Sequence, residues 1–164
     1  MPFFLRKIQK RKWDRTPDLA WVPQGDLPAD PLYDLRTEEN QLSVFMIRDD
    51  RSNLDQVVVA IAAKWERLDN FDYALFDQET VARLRIDLHE TAGDTPDAAA
   101  NRWHRDLVNL TGQKLVALAV AIWACGERQR KLQKEMKRLL AEAVSSGRID
   151  PNALTPELRK KICV

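Results

Sequence analysis

The apolar run at residues 115–125, LVALAVAIWAC, limits the possible folds of this chain more than any other feature. A helix that crosses a membrane needs about 20 apolar residues, so this run is too short to span a bilayer. The chain starts MPFFLRK and becomes basic before an apolar core of secretory-signal length has formed. We therefore expect a cytoplasmic protein in which residues 115–125 form a helix that is buried on all sides.

Periodic apolar positions predict the secondary structure of the first half of the chain. Six apolar residues recur at the spacing of one helix face, and these are Leu54, Val57, Val58, Ile61, Ala62 and Trp65. β-branched and aromatic residues predict a strand over 42–47, a short apolar run predicts one over 73–76, and an apolar–polar alternation predicts another over 84–89. Residues 4–8 fit either an edge strand or a helical turn.

The second half of the chain is expected to be helical. The sequence Thr-Pro-Asp at 95–97 is typical of a helix start, and a long helix is predicted over 95–126, in which Gly112 favours a kink or a break. A second helix is predicted over 127–146. The order of elements predicts an α+β fold with a small sheet of three to four strands. One face of that sheet would be covered by the first predicted helix and by the long C-terminal helical hairpin.

A length of 164 residues suits a single domain, since domains usually have about 100 to 150 residues. Composition divides it into a basic arm (1–15), a Pro-rich extended segment (16–41), an α/β part (42–92), a helical part (95–147) and a C-terminal tail with a short helix (148–164). Proline removes amide donors and favours extended backbone. The Pro-rich segment is therefore expected to be irregular and to be held in place by Trp21.

Charge is distributed unevenly although the total nearly cancels, with 26 basic and 25 acidic residues. Residues 1–15 carry a net charge of +5, residues 16–100 of −11 and residues 101–164 of +7. Such segregation indicates separate surfaces for separate partners. The alternative is that the positive ends fold back against the negative middle and neutralise it.

The sequence contains no complete catalytic, cofactor-binding or metal-binding motif. Its five glycines are isolated, so there is no glycine-rich phosphate loop, and no serine or cysteine stands in a nucleophile elbow. Cys125 and Cys163 lack the short ligand spacing of a zinc site and do not resemble a disulfide framework. We therefore expect no cofactor and no bound metal.

Two histidines limit the acid–base chemistry that this chain can support. His89 lies on the polar side of a predicted strand, with Arg85 before it, and His104 lies among charged residues of the predicted long helix. Metal-independent RNA cleavage needs a group that moves a proton and a cation that binds phosphate. These three residues are therefore candidates for the site of a small ribonuclease, and the alternative is that they are solvated surface residues.

Basic residues provide the candidates for nucleic-acid binding. In the arm they precede Trp13, whose ring has the shape to stack on a base, and they are Arg6, Lys7, Lys10, Arg11 and Lys12. On the second predicted helix, Arg130, Lys134 and Lys137 share the side opposite the apolar stripe. The alternatives are that Trp13 anchors the arm in the core and that the helix carries an ordinary solvated face.

Acidic residues provide a third kind of candidate site, a surface that docks a basic protein. They lie in expected loops, at Asp26, Asp30, Asp34, Glu38 and Glu39. A dispersed negative surface speeds association with a positively charged partner. The alternative is that these residues only keep the protein soluble.

These observations favour a small, cytoplasmic, non-enzymatic interaction protein of bacterial type that binds a macromolecular partner. Accessory, antitoxin-like and immunity-like subunits are of this kind. One alternative is a nucleic-acid-contacting subunit that uses the basic arm and the basic helix. The other is a small metal-independent ribonuclease. A protein partner is expected first, nucleic acid second, and a membrane not at all.

Overall fold

A six-stranded β-sheet forms the centre of the computed structural model, which describes residues 1–14 and 21–162. Its strands are β1 (Phe3–Lys7), β2 (Leu42–Ile47), β3 (Phe71–Asp77), β4 (Asp87–Glu90), β5 (His104–Val108) and β6 (Glu127–Lys131). Their order across the sheet is β4-β5-β2-β1-β3-β6, and every neighbouring pair is antiparallel. Residues 4–8, expected to be an edge strand or a helical turn, thus belong largely to the central strand β1.

Helices connect the strands of the described residues. They are α1 (Lys10–Trp13), α2 (Ala29–Asp34), α3 (Leu54–Ala62), α4 (Gln78–Arg83), α5 (Ala98–Asn101), α6 (Gly112–Cys125), α7 (Gln133–Ser145) and α8 (Pro156–Ile162), with a 3-10 helix at Pro151–Ala153. The end of the predicted basic arm, the start of the predicted Pro-rich segment and Cys163 lie outside the described residues. The α+β class is confirmed.

One face of the sheet packs against α3, α7 and α8. Alternate strand residues, among them Leu5, Phe45 and Tyr73, form a buried core there with Val58 on α3 and Leu140 on α7. The apolar stripe that predicted a helix over 54–65 supplies much of this core. The helix itself ends at Ala62, and the stripe's last residue, Trp65, lies beyond it.

The opposite face of the sheet carries a second buried core. The intervening strand residues, such as Phe4, Val44 and Phe76, pack there with Ile122 on α6 and with Trp13 on α1. The expectation that helices cover only one face is therefore wrong. Because strand residues point alternately to either side, a sheet buried on both faces needs apolar residues at successive positions, and β2 and β3 provide them.

The prediction of three to four strands is wrong because β5 and β6 lie where a helical hairpin was expected. The β5 sequence HRDLV lacks a strand pattern, since Arg105 and Asp106 are charged and yet buried. Neighbouring strands satisfy both charges: Arg105 Nη2 donates to Glu90 at 2.6 Å, and Asp106 accepts from the Ser43 hydroxyl at 2.9 Å. Because neighbouring strands supply the partners of these charged residues, the hydropathy pattern of the sequence does not reveal the strand.

The second unexpected strand, β6, is an edge strand with the sequence ERQRK. It contains no apolar residue, and five residue pairs with β3 hold it in the sheet. Charged side chains on an edge strand discourage pairing with another chain. The partner strand, rather than the intrinsic propensity of these residues, therefore determines this element.

The apolar run at 115–125 forms most of α6, but this helix is not buried on all sides, since Val116 is 38% exposed. Its buried side consists of Leu118, Ala119 and Ile122. Gly112 begins the helix rather than breaking a longer one, and the Thr111 hydroxyl caps it by accepting from the Lys114 amide at 3.2 Å. Within the described part of the chain, no helix has the length and apolarity needed to cross a membrane.

Packing on both faces of the sheet leads to a stability prediction. Leu118→Ala on α6 and Leu140→Ala on α7 remove fully buried side chains from opposite faces, so each should lower the free energy of unfolding by about 2 to 5 kcal/mol. Urea unfolding followed by tryptophan fluorescence measures the change. Val116→Ala is the control and should change it by about 0.5 kcal/mol at most. A Leu118→Ala variant as stable as this control would contradict the second core.

Candidate functional site

The central sheet opens between β1 and β2. Three residue pairs join these strands, and the last is Leu5↔Phe45. Beyond this pair, β1 stays paired with β3 as far as Lys7, while β2 pairs with β5 back to Leu42. The two strands diverge at this end, so their backbone groups there need other hydrogen-bond partners.

The side chain of Arg6 bridges the opening. Its Nη1 donates to the Ser43 carbonyl at 2.8 Å, and its Nη2 donates to the Arg36 carbonyl at 3.3 Å. The Nε atom is buried and has no acceptor among the described residues. Burial lowers the pKa of Arg6, and the nearby Asp34 carboxylate only partly offsets that effect. Arg6 is thus a half-buried cation bonded to carbonyl dipoles rather than to a carboxylate.

A surface groove runs across this opening. It consists of two adjoining cavities of about 580 and 430 Å³, which share Lys7 and Lys64 among their lining residues. The larger cavity reaches Arg130 on β6, and the smaller reaches His104 on β5. The groove therefore crosses the end of β1 from one side of the sheet towards the other.

Lys7 lies at the junction of the two cavities. Its Nζ is 4.9 Å from the centre of the Trp65 ring, and that ring stacks on Phe71 at 5.4 Å. Desolvation lowers the pKa of Lys7, and repulsion from Arg6 lowers it further, against the attraction of nearby carboxylates such as Asp72. The fold thus keeps Arg6 and the exposed Lys7 close together in the groove without enough negative charge to balance them.

The carboxylate of Asp34, which lines the groove, is hydrogen-bonded and ion-paired within the protein. It accepts from the Gln9 amide at 2.7 Å and from the Trp13 indole at 2.9 Å, and Lys12 lies 3.8 Å away. Asp34 is 9% exposed and Trp13 is fully buried. These bonds attach α1 to α2.

Two further carboxylates of the groove are also paired. Asp72 accepts from Arg130 Nε at 2.6 Å, from its Nη2 at 2.9 Å and from the Lys10 amide at 3.0 Å. Burial by itself would raise the pKa of Asp72, but the hydrogen bonds from Arg130 and Lys10 hold it below its ordinary value. Asp94 pairs with Lys64 at 2.7 Å.

The charges that remain in the groove are mostly positive. Among the described residues, the lining cations without an ion pair are Arg6, Lys7, Arg11, Arg36 and Arg67. The lining carboxylates without an ion pair are Glu66 and Asp69. An excess of positive charge in a concave surface raises the local concentration of anions.

The end of the groove at β5 carries a hydrogen-bonded histidine. The Thr91 hydroxyl lies 2.8 Å from His104 Nδ1 and donates to Asp106 at 2.7 Å. Asp106 also accepts from Ser43, and His104 Nε2 lies 3.9 Å from the same carboxylate. The Thr91 hydroxyl therefore orients the imidazole and links it to the Asp106 carboxylate.

The candidate ribonuclease residues are not all brought together. His89 is exposed on the edge strand β4, where it pairs with Asp106 across the ladder. Arg85 is exposed in the turn before β4, with a positive φ of 51°. No hydrogen bond or ion pair joins the side chains of His89 and Arg85 in the described part of the chain. Of the three candidates, only His104 lines the groove.

The basic candidates are divided between the groove and other surfaces. Those that line the groove are Arg6, Lys7, Arg11 and Arg130. Arg130 lies on β6 rather than on the helix where it was expected, and Lys134 and Lys137 are exposed on α7. Trp13 is buried and has no free face for a base, which agrees with the alternative of a core anchor.

The acidic candidates have two different environments. Asp34 is buried and bonded within the protein, as described above. The other four are exposed and have no ion pair in the described residues: Asp26, Asp30, Glu38 and Glu39. We name these four the acidic surface. Glu39 forms part of a tight turn with a positive φ of 51°.

Sequence reasoning missed Arg36, Lys64 and Arg67 as members of a site. They lie in residues 16–100, whose net negative charge conceals single cations. A signal for the site was nevertheless present, since Arg6 interrupts the apolar sequence of β1. A cation at an interior position of a strand indicates a break in the sheet or a bound anion.

No family model matches this chain, and the searches of curated proteins and of solved structures found no significant match.

The pairing of Asp72 leads to a pH-dependent prediction. Because the pKa of Asp72 is lowered in the fold, its contribution to stability is present above the ordinary carboxyl pKa of about 3.9 and is lost as the pH falls through the folded value. Asp72→Asn should therefore lower the free energy of unfolding by about 1 kcal/mol at pH 7. Urea unfolding at several pH values should show that this difference shrinks in acid.

Asp69→Asn is the matched control, since Asp69 lines the same groove without an ion pair. Its stability should stay within about 0.5 kcal/mol of the wild type at each pH. A constant deficit of Asp72→Asn from neutral to acid pH would show that the charge of Asp72 does not stabilise the fold.

Proposed function

We propose that this protein binds nucleic acid and that the groove holds the phosphate backbone. The observation that carries the proposal is the set of five lining cations that have no carboxylate partner. Phosphate contacts from lysine and arginine provide most of the affinity in non-specific nucleic-acid binding. A cytoplasmic location is part of this proposal.

The energetics of Arg6 and Lys7 support an anionic ligand. Both residues have a lowered pKa, which means that the folded protein disfavours their charged forms relative to water. A bound anion supplies the negative charge that no ion-pair partner in the fold supplies to Arg6 and Lys7. Its attraction is strongest where the groove walls exclude water, because charges interact more strongly at low dielectric constant.

The distribution of the cations favours a chain of phosphates over a single small anion. Arg11 and Arg67 line one cavity, Arg6 and Arg36 line the other, and Lys7 lines both. A lone phosphate cannot contact cations that are spread over two cavities, whereas successive phosphates of a polymer can. The groove therefore suits a backbone that crosses the end of β1.

Removal of groove cations should weaken binding in a way that depends on salt. The double variant Arg11→Gln/Arg67→Gln should bind a fluorescein-labelled oligonucleotide more weakly than the wild type. The slope of log K against log salt should also become less steep by about 1 to 2. Each phosphate contact that is lost means that fewer counterions are released from the nucleic acid on binding. Fluorescence anisotropy with single-stranded and double-stranded probes measures both quantities.

The control is Lys160→Gln/Lys161→Gln, which removes the same charge from exposed positions on α8 outside the groove. It should leave the affinity and the slope nearly unchanged. A third variant, Lys134→Gln/Lys137→Gln, tests the candidates on α7. Equal losses in the groove variant and in the α8 control would reject the groove as the site, and no binding of either probe at low salt would reject the function.

The ribonuclease hypothesis stays a prediction. His104 lines the groove and is oriented by Thr91, which links it to Asp106, while His89 and Arg85 lie elsewhere. A groove that holds phosphates brings them near a group able to transfer a proton. The same binding experiment, repeated with analysis of probe length after incubation, detects cleavage directly.

A second candidate function uses the acidic surface to dock a basic protein. The observation that favours it is that all four carboxylates are exposed without ion pairs and that Trp21, in the same segment, is 69% exposed. Exposed tryptophans are frequent among the residues that dominate binding at protein interfaces. This candidate is independent of the groove.

Neutralisation of two acidic residues tests the second candidate. Asp26→Asn/Asp30→Asn should bind a labelled oligolysine peptide several-fold more weakly than the wild type, because complementary charge accelerates association. The matched control is Glu79→Gln/Glu157→Gln, with both residues exposed on helices elsewhere. An equal effect of the two variants in anisotropy measurements would show that net charge, rather than the acidic surface, attracts the peptide.

A further inference from the structure

Tyr33 is a large aromatic residue that the fold leaves at the surface. It is 66% exposed, although its neighbours Pro31 and Asp34 on α2 are buried. The ring therefore contributes little to the core beneath α2. Most of its surface is available to a ligand.

Two cations lie against the Tyr33 ring. Lys12 Nζ is 4.9 Å and the Arg36 guanidinium carbon is 5.5 Å from the ring centre. Both distances are within the range of a cation–π interaction. Asp34 lies 3.8 Å from Lys12 and helps to hold it there. Two cations thus lie over the ring, while most of the side chain stays exposed.

Tyr33 lines neither cavity, but it lies at the rim of the groove, because the Arg36 guanidinium over its ring lines the smaller cavity. Asp34 and Arg36, which follow it closely in the chain, both line the smaller cavity. The Arg36 carbonyl accepts from Arg6 Nη2 at 3.3 Å, so the segment that carries the ring is bonded to a residue that lines the groove. A phosphate bound near Arg36 would therefore bring the attached sugar and base close to the aromatic ring.

We infer that the nucleic acid in the groove is single-stranded and that one of its bases stacks on Tyr33. This inference rests on the proposed function. Bases of a duplex are stacked on one another and are not free to contact a side chain, whereas unpaired bases stack on aromatic rings and on guanidinium planes. A cationic groove with an exposed ring at its rim is the arrangement that single-strand binding uses.

Anisotropy titrations with three probes test the inference. They are a labelled oligouridine of about 12 nucleotides, an abasic chain of the same length and a duplex of the same length. Tyr33→Ala should weaken binding of the oligouridine by about 5- to 100-fold, the range expected for the loss of one stacked base. It should leave binding of the abasic chain unchanged, because the phosphate contacts remain.

Two control variants accompany Tyr33→Ala. Tyr33→Phe keeps the ring and should retain the affinity for oligouridine. Trp21→Ala removes the other highly exposed aromatic side chain of this segment, which has no groove cation over its ring among the described residues, and should also retain it. A loss of affinity in Tyr33→Phe equal to that in Tyr33→Ala would overturn the stacking role.

The outcomes separate the inference from the proposed function. If the wild type binds the abasic chain and the oligouridine alike, or if Tyr33→Ala binds both as the wild type does, base stacking is rejected and the phosphate groove stands. Tighter binding of the duplex than of the oligouridine rejects a single-stranded ligand. Failure of the wild type to bind any of the three probes rejects the groove itself as a nucleic-acid site.

Discussion

The guanidinium of Arg6 takes the place of strand-to-strand hydrogen bonds at the point where β1 and β2 part. It donates to the carbonyls of Ser43 and Arg36, so it holds β2 and the segment after α2 against β1 without closing the sheet. A carboxylate partner would neutralise this half-buried charge, and the fold supplies none to Arg6 directly. Arg6 thus bridges the opening of the sheet and adds to the positive charge of the groove.

The carboxylates around Arg6 are hydrogen-bonded to other groups of the protein, and the groove therefore stays positively charged. Asp34 is occupied by the Gln9 amide and the Trp13 indole, and Asp72 is occupied by Arg130 and the Lys10 amide. The Asp34 bonds attach α1 to α2, the bond from the Lys10 amide attaches α1 to β3, and the bonds from Arg130 join β6 to β3. A carboxylate that already accepts several hydrogen bonds neutralises a neighbouring cation less effectively than a free one. Structural hydrogen bonds thus occupy the acidic groups that would otherwise balance the cations of the groove.

Local patterns predicted some of the elements, and non-local pairing explains those that were missed. The apolar stripe of α3 follows the period of a helix, and β2 and β3 are recognisable as short runs of apolar residues. In contrast, β5 contains Arg105, which Glu90 of the neighbouring strand satisfies. The groove was not predictable as a unit, since Arg6, Lys64 and Arg130 meet only through the strand order. Arg6 and Lys7 were found individually, from their charge alone.

The pairing of the charged residues indicates that the unpaired positive charge of the chain is concentrated in the groove. Cations of the C-terminal third pair with the acidic middle, as in Arg130 with Asp72 and Lys131 with Asp55. To that extent the ends do fold back and neutralise the middle. In the basic arm, Lys12 also pairs with Asp34, but Arg6, Lys7 and Arg11 line the groove and have no ion pair among the described residues. Exposed ion pairs contribute little to stability and are weakened by salt. A partly desolvated cation without an ion pair, such as Arg6, is stabilised by a bound anion. Positive charge is therefore left over where the sheet is open, and a bound anion is the simplest means of balancing it.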